Sequence, residues 1–158
     1  VINKVRELEE INAEQVFVFG GSQGGLVTAL TVDKMWQEIK GMVLLYPAFC
    51  IADNWNQRFQ KKEEIPEELE FWGMKLGRTF FETLQGFDVF SHIGKYKNKI
   101  LVMHGDKDPI VDLEYSNRIK DSYPQVRLEV FKGEGHGFTD IGTEKMTEML
   151  YQFILENL

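Results

Sequence analysis

The stretch that decides the fold is Val16–Gly25, VFVFGGSQGG. Four apolar residues, two of them β-branched and two aromatic, run straight into four glycines that flank Ser22 and Gln23. The apolar run reads as a buried strand that glycine ends at once. The residues after Gly24-Gly25, Leu26 to about Trp36, read as a helix whose first turns are apolar on most faces. Gly20-Gly21-Ser22-Gln23-Gly24 therefore fits G-x-S-x-G between a strand and a helix, the setting of a nucleophile elbow. In such a turn the serine backbone is strained, small residues at Gly20 and Gly24 let strand and helix approach, and the Gln23 amide heads the helix, facing a developing oxyanion. The same stretch also fits a plain tight turn with a small residue in it. It does not fit a phosphate-binding loop, which needs a Gly-Lys-Ser/Thr ending, or the G-x-G-x-x-G spacing of a dinucleotide turn.

Outward from this stretch, strands and helices alternate. Val1 to about Ile11 reads as a helix with Val1, Val5 and Leu8 on one face. Met42–Tyr46, Ile100–Met103 and Arg127–Phe131 read as three further strands, the first stopped by Pro47. Leu113–Tyr123 and Thr143–Asn157 read as helices. This rhythm predicts an α/β fold with a mainly parallel sheet and flanking helices. Residues 48–96 break it. They carry the charged run QKKEEIPEELE and aromatic residues that include Trp55, Phe59, Phe71, Trp72, Phe80 and Phe81, without a core strand. The expectation is a core half over 1–47, a helical insertion over 48–96 and the rest of the core over 97–158. The insertion is either a lid over a site or a helical decoration.

Composition narrows the function. With 158 residues, 43% of them hydrophobic, the chain can bury a core. A net charge of −7 disfavours a general nucleic-acid or anionic-membrane surface. One cysteine, Cys50, excludes an internal disulfide and a multi-cysteine zinc site. With no signal-like opening and no long apolar run, the chain is expected to be cytoplasmic.

A serine nucleophile needs a base, and the base a carboxylate that orients it. His136 sits in KGEGHGF after the fourth strand, His104 ends the third strand, and His92 lies in the insertion. The third strand opens into HGDKDPIV, which offers Asp106 and Asp108. Ser22, Asp108 and His136 thus lie at the ends of three strands, in the order Ser, Asp, His.

GGSQGG, HGDKDPIV and GEGHGF together resemble the serine esterases of the α/β-hydrolase superfamily, with greatest likeness to bacterial cinnamoyl (feruloyl) esterases. The likeness runs from about Val16 to the C-terminus. It implies that Ser22 is the nucleophile, Asp108 rather than Asp106 the acid, and His136 the base, with His104 packing at its strand end and His92 without a role. It implies an acyl-enzyme mechanism without metal or cofactor, on a small-molecule ester. A bulky acyl group would lie under the insertion, with Trp55 and Trp72 as candidates for its pocket. The family fold carries strands before the elbow strand and a second oxyanion amide from an earlier HG-type loop, whereas no histidine precedes Ser22 here. The expectation is therefore the C-terminal part of an esterase, with its elbow strand at a sheet edge, completed by a missing segment or by self-association. An acetyl-ester deacetylase, a serine peptidase and a non-catalytic binding module of the same fold are the alternatives.

Overall fold

A computed structural model describes residues 1–158. Its centre is a four-stranded, fully parallel sheet: β1 (Phe17–Gly21), β2 (Gly41–Leu45), β5 (Lys99–Gly105) and β6 (Val126–Phe131), in the order β1-β2-β5-β6. Register pairs Phe19 with Val43, Val43 with Leu101, and Leu101 with Arg127. The two middle strands are apolar over residues 42–45 and 100–103 because both faces are covered. Met42, Leu44, Ile100 and Val102 point to one face and join Leu26, Ala29 and Val32 of α2 (Gln23–Lys34) and Ile119 of α5 (Leu113–Ser122). Val43, Leu45, Leu101 and Met103 point to the other and join Phe153 of α6 (Asp140–Leu155). Side chains alternate along a strand, so one continuous apolar run feeds two cores. Fully burying each such side chain stabilises by roughly 1.5–3 kcal/mol.

β1 is an edge strand, and Phe19 at its middle is 47% exposed. The first helix, α1, covers only Ile2–Arg6, short of the expected Ile11. Leu8 and Ile11 stay exposed, so no apolar face exists to hold the charged second turn, and so short a helix is marginal without packing.

Residues 48–96 form α3 (Ile51–Arg58), a two-stranded antiparallel hairpin of β3 (Glu68–Phe71) and β4 (Met74–Gly77), α4 (Arg78–Leu84), and short 3₁₀ turns at Lys62–Glu64 and Val89–His92. The hairpin is absent from the expectation of helices alone. Its signal is the alternation of Glu68 and Glu70 outward with Leu69 and Phe71 inward, closed by Trp72-Gly73. Both turn residues have positive φ (49° and 73°), the geometry of a tight hairpin turn. The chain re-enters the sheet through Asp33. This buried carboxylate accepts the amides of Gly94, Lys95 and Tyr96 at 3.0–3.1 Å and fixes the entry to β5.

Candidate active site

All four sheet strands end on one side, the side where open α/β sheets bind ligands. Ser22 follows β1 with φ 52° and ψ −124°, a strained conformation for a residue with a side chain. Its amide donates to Leu45 O at 2.9 Å, and its carbonyl accepts the amides of Gly25 and Ala48, both at 2.9 Å. The neighbouring loop thus holds the strained backbone in place. Glycine is required at Gly20, where a Cβ would strike the Thr28 side chain and the Gly24 backbone, and at Gly25, where it would come within 2.8 Å of Pro47. The expectation for Gly24 is corrected: a Cβ there meets nothing within 4 Å, and Gly25 makes the close helix approach instead. Gln23 opens α2, so its amide lacks an intrahelical acceptor and follows Ser22 directly in the chain.

The acid loop leaves β5 at Gly105. Asp108 folds back on its own chain: Oδ1 accepts the amides of Ile110 (2.8 Å) and Val111 (2.9 Å). Burial pushes the Asp108 carboxyl up, but these amides and His136 outweigh it and hold the group below the usual carboxylate range. Asp106 turns elsewhere and accepts the Gly133 amide at 2.6 Å. The histidine loop leaves β6 and is clamped by Glu134. The Glu134 carbonyl accepts Lys107 N (2.9 Å), and its carboxylate accepts the Thr139 amide (2.7 Å) and hydroxyl (2.6 Å) at the start of α6.

These loops bring three of the expected residues together. His136 Nδ1 lies 2.8 Å from Asp108 Oδ2, and His136 Nε2 lies 2.9 Å from Ser22 Oγ. The carboxylate only accepts, so Nδ1 carries the proton, and Nε2 accepts from the Ser22 hydroxyl. Asp108 is 1% exposed and His136 14%, so the pair is sheltered while the imidazole edge stays reachable. The Tyr46 ring lies against His136 at 4.6 Å between centroids and against Phe138 at 5.4 Å. Such an arrangement can take a proton from Ser22 and hold the resulting imidazolium beside a carboxylate.

The other candidates fall elsewhere. Trp55 packs among Phe59, Phe71, Phe80 and Phe81, and Trp72 stacks on Phe71 at the hairpin tip with 71% of its surface exposed. Their aromatic neighbours all belong to the insertion. His92 is exposed and bonds to Ser91 and Asp88. Cys50 is buried, which pushes its thiol pKa up and away from nucleophilic use. An open cleft of about 360 Å³ borders the outer side of the acid loop. Asp108 and Ile110 line it, with Cys50, Asn54 of α3 and Tyr115 of α5, so the insertion meets the site through α3. His104, expected to pack at its strand end, does so with no exposed surface, and it also touches Asp108. Sequence reasoning missed that contact; its signal is the four-residue spacing in His104-Gly-Asp-Lys-Asp108. No helix is long and apolar enough to cross a membrane.

The structure is similar to that of Est1E from Butyrivibrio proteoclasticus with ferulic acid bound. The TM-score is 0.89 at 29% identity, over 99% of this chain and 64% of that one. It shares its fold with an acetyl xylan esterase from Paenibacillus sp. R4 (TM-score 0.69, 20% identity, 99% of this chain and 50% of that one). In sequence it is 28% identical over 128 residues to the AB hydrolase superfamily protein YisY of Bacillus subtilis (strain 168), over 74% of this chain and 47% of that one. The chain thus spans less than two thirds of the length of these proteins. The fold is that of the α/β hydrolases. The model of the prolyl oligopeptidase family matches residues 1–158, and the chain belongs to that family.

Proposed function

We propose that this chain carries the nucleophile, base and acid of a serine hydrolase that cleaves carboxylic esters through an acyl-enzyme. The observation that carries the reading is the hydrogen-bonded line from Ser22 Oγ through His136 to Asp108, at 2.9 and 2.8 Å. Ser22 attacks the ester carbonyl while His136 Nε2 takes its proton. The Gln23 amide donates to the oxygen that becomes negative. Asp108 keeps the imidazole in the reactive tautomer and stabilises it once charged. The protonated His136 then gives its proton to the leaving alcohol, and the acyl group stays on Ser22. Water, deprotonated by the same imidazole, releases the acid.

For the acyl group we propose a cinnamoyl or feruloyl class, supported by the 29% identity to an esterase described with ferulic acid bound. Residues 48–96 act in this reading as a cap over the acyl group, with α3 bordering the site. No metal or cofactor takes part, and the substrate is a small-molecule ester.

The test is labelling with a fluorophosphonate probe. Wild type reacts and Ser22→Ala does not; absence of labelling in well-folded wild type overturns the reading in favour of a binding module. Methyl ferulate, a short acetyl ester and an aminoacyl amide, assayed side by side, then separate feruloyl esterase from deacetylase and peptidase.

A further inference from the structure

Asp108 is held from two sides. His136 Nδ1 reaches its Oδ2 from the open side of the site, and His104 Nε2 reaches the same oxygen from the interior at 3.2 Å. His104 Nε2 also lies 3.0 Å from Val111 O, and His104 Nδ1 lies 2.6 Å from the Ser116 hydroxyl. His104 and Ser116 are both fully buried. The chemistry of the partners fixes the protons. Both neighbours of Nε2 are acceptors only, so Nε2 carries hydrogen; it is hydrogen-bonded to Val111 O, with Asp108 Oδ2 as a second contact at 3.2 Å. Burial lowers the His104 pKa and favours the neutral ring, so Nδ1 has a lone pair and accepts from the Ser116 hydroxyl. The Asp108 carboxylate then accepts three hydrogen bonds, two from amides on Oδ1 and one from His136 on Oδ2, and the His104 N–H makes a longer fourth contact on Oδ2. An ionised carboxylate has acceptor sites for all four.

We propose that His104 is a positioning residue of this site: its Nε2–H, oriented by Ser116, locks the plane of the Asp108 carboxylate so that Oδ2 meets His136 Nδ1. The two amides hold Oδ1 and so already limit the turn of the carboxylate about its Cβ–Cγ bond. A contact on Oδ2 from an immobile, buried ring narrows the rocking that remains and fixes where Oδ2 stands. His136, the other donor, sits on a partly exposed loop and must change charge during the reaction, so it cannot serve as its own reference point. The inference rests on the reading of Ser22, His136 and Asp108 as nucleophile, base and acid.

Two substitutions separate positioning from packing. In His104→Gln the side-chain amide nitrogen reaches the place of Nε2 and can donate to Asp108. In His104→Asn the amide reaches only the place of Nδ1. Fluorophosphonate labelling rates are measured alongside thermal melts. The far-downfield proton resonance of the His136–Asp108 hydrogen bond is followed by NMR. Loss of a hydrogen bond behind a site ligand typically costs 10–100-fold. Folded His104→Asn should therefore label about 10–100-fold more slowly with its downfield resonance shifted or lost, while His104→Gln returns to within about 5-fold of wild type. Equal losses in both variants that follow melting temperature alone overturn the proposal, as does a folded His104→Asn with wild-type rate and resonance. If His104→Asn does not fold, Ser116→Ala substitutes for it: a shifted resonance and slower labelling support the proposal, and no change in either overturns it. A wild type that fails to label refutes the hydrolase reading instead, and the resonance still decides whether His104 holds the Asp108–His136 pair.

Discussion

Two serine–histidine pairs converge on one carboxylate, and the proposed function assigns reaction to only one of them. On the open side Ser22 donates to Nε2 of His136, whose Nδ1–H meets Asp108. On the buried side Ser116 donates to Nδ1 of His104, whose Nε2–H meets the same oxygen. The arrangement is alike with the ring nitrogens exchanged, except that the His104 Nε2–H is also hydrogen-bonded to Val111 O. The backbone makes the difference. Ser22 stands, as a partly exposed residue, on a strained turn at a strand end, with the free amide of Gln23 next in the chain. Ser116 lies inside α5 with no exposed surface, where a substrate cannot enter and its own amide belongs to the helix. A serine beside a histidine beside an aspartate is therefore insufficient for a nucleophile; access and an oxyanion donor complete it.

Exchanging the serines for alanine gives the largest expected contrast. Ser22→Ala should abolish probe labelling and lower any ester turnover by about 10⁴-fold or more, with little change in melting temperature. Ser116→Ala should keep Ser22 reactive, though slower, and lose about 1–3 kcal/mol of stability, because it leaves a buried ring nitrogen without its donor. Chemical denaturation of both variants with parallel labelling checks this. Loss of labelling in Ser22→Ala accompanied by unfolding would remove the contrast.

Asp108→Asn should come next, because it strikes both pairs at once. The amide can satisfy only part of a site built from four donors, and its NH₂ opposes the two imidazole N–H groups. A wrong tautomer at the reactive histidine costs about 10⁴-fold in related triads. Asp106→Asn is the control, since Asp106 only accepts the Gly133 amide. Labelling should survive there and fail in Asp108→Asn; equal rates in both would mean that Asp108 is not the acid.

The open pair was legible in the sequence and the buried pair was not. G-x-S-x-G between a strand and a helix, with Asp108 and His136 after later strands, places three groups at one sheet edge because parallel strands all end on the same side. The two middle strands were legible for a related reason, since burial on both faces leaves nearly unbroken apolar runs. His104 reads as a strand-end residue because its partner Ser116 sits in an ordinary amphipathic helix, and nothing local marks which serine faces inward. The same limit hid the role of Gly25, which depends on where Pro47 returns, and the fate of Glu7–Ile11, where helical spacing exists but no surface covers it. Trp55 shows a further limit. Aromatic content marks the insertion, but only the packed structure shows Trp55 spending its surface on Phe59, Phe71, Phe80 and Phe81.

Acid should also separate the two histidines by stability. Burial lowers the His104 pKa from its ordinary 6.5. Once pH falls below about 6.5, the unfolded chain binds a proton at this position that the folded chain does not, so stability declines. The contribution is complete above that pH and is lost downward toward the folded pKa. Asp108 and His136 are the titratable groups facing His104. Asp108 has its own pKa lowered, so it remains ionised through this window, and its stabilising share is lost only below its ordinary 3.8. Wild type should thus lose melting temperature between pH 7 and 5 more steeply than His104→Gln, which has nothing to protonate there. Parallel slopes would show that His104 titrates normally in the folded protein.

The smallest expected effect concerns how the open histidine is steadied. The interior encloses the ring of His104, whereas His136 has the face of Tyr46, 4.6 Å away and backed by Phe138. Tyr46 itself has φ 34°, a cost the fold bears to place that ring at the end of β2. An aromatic face over a cationic imidazole contributes about 0.5–1 kcal/mol at a partly exposed site, equivalent to about 2–5-fold in rate if it acts on the charged intermediate. Tyr46→Phe should keep that face and label at nearly the wild-type rate. Tyr46→Leu should slow labelling by about 2–5-fold, and by the same factor in the His104→Gln background, because Tyr46 serves the open pair alone. A Tyr46→Phe loss as large as that of Tyr46→Leu would instead assign the effect to the phenol hydroxyl, whose pKa burial and the nearby Asp108 charge both raise.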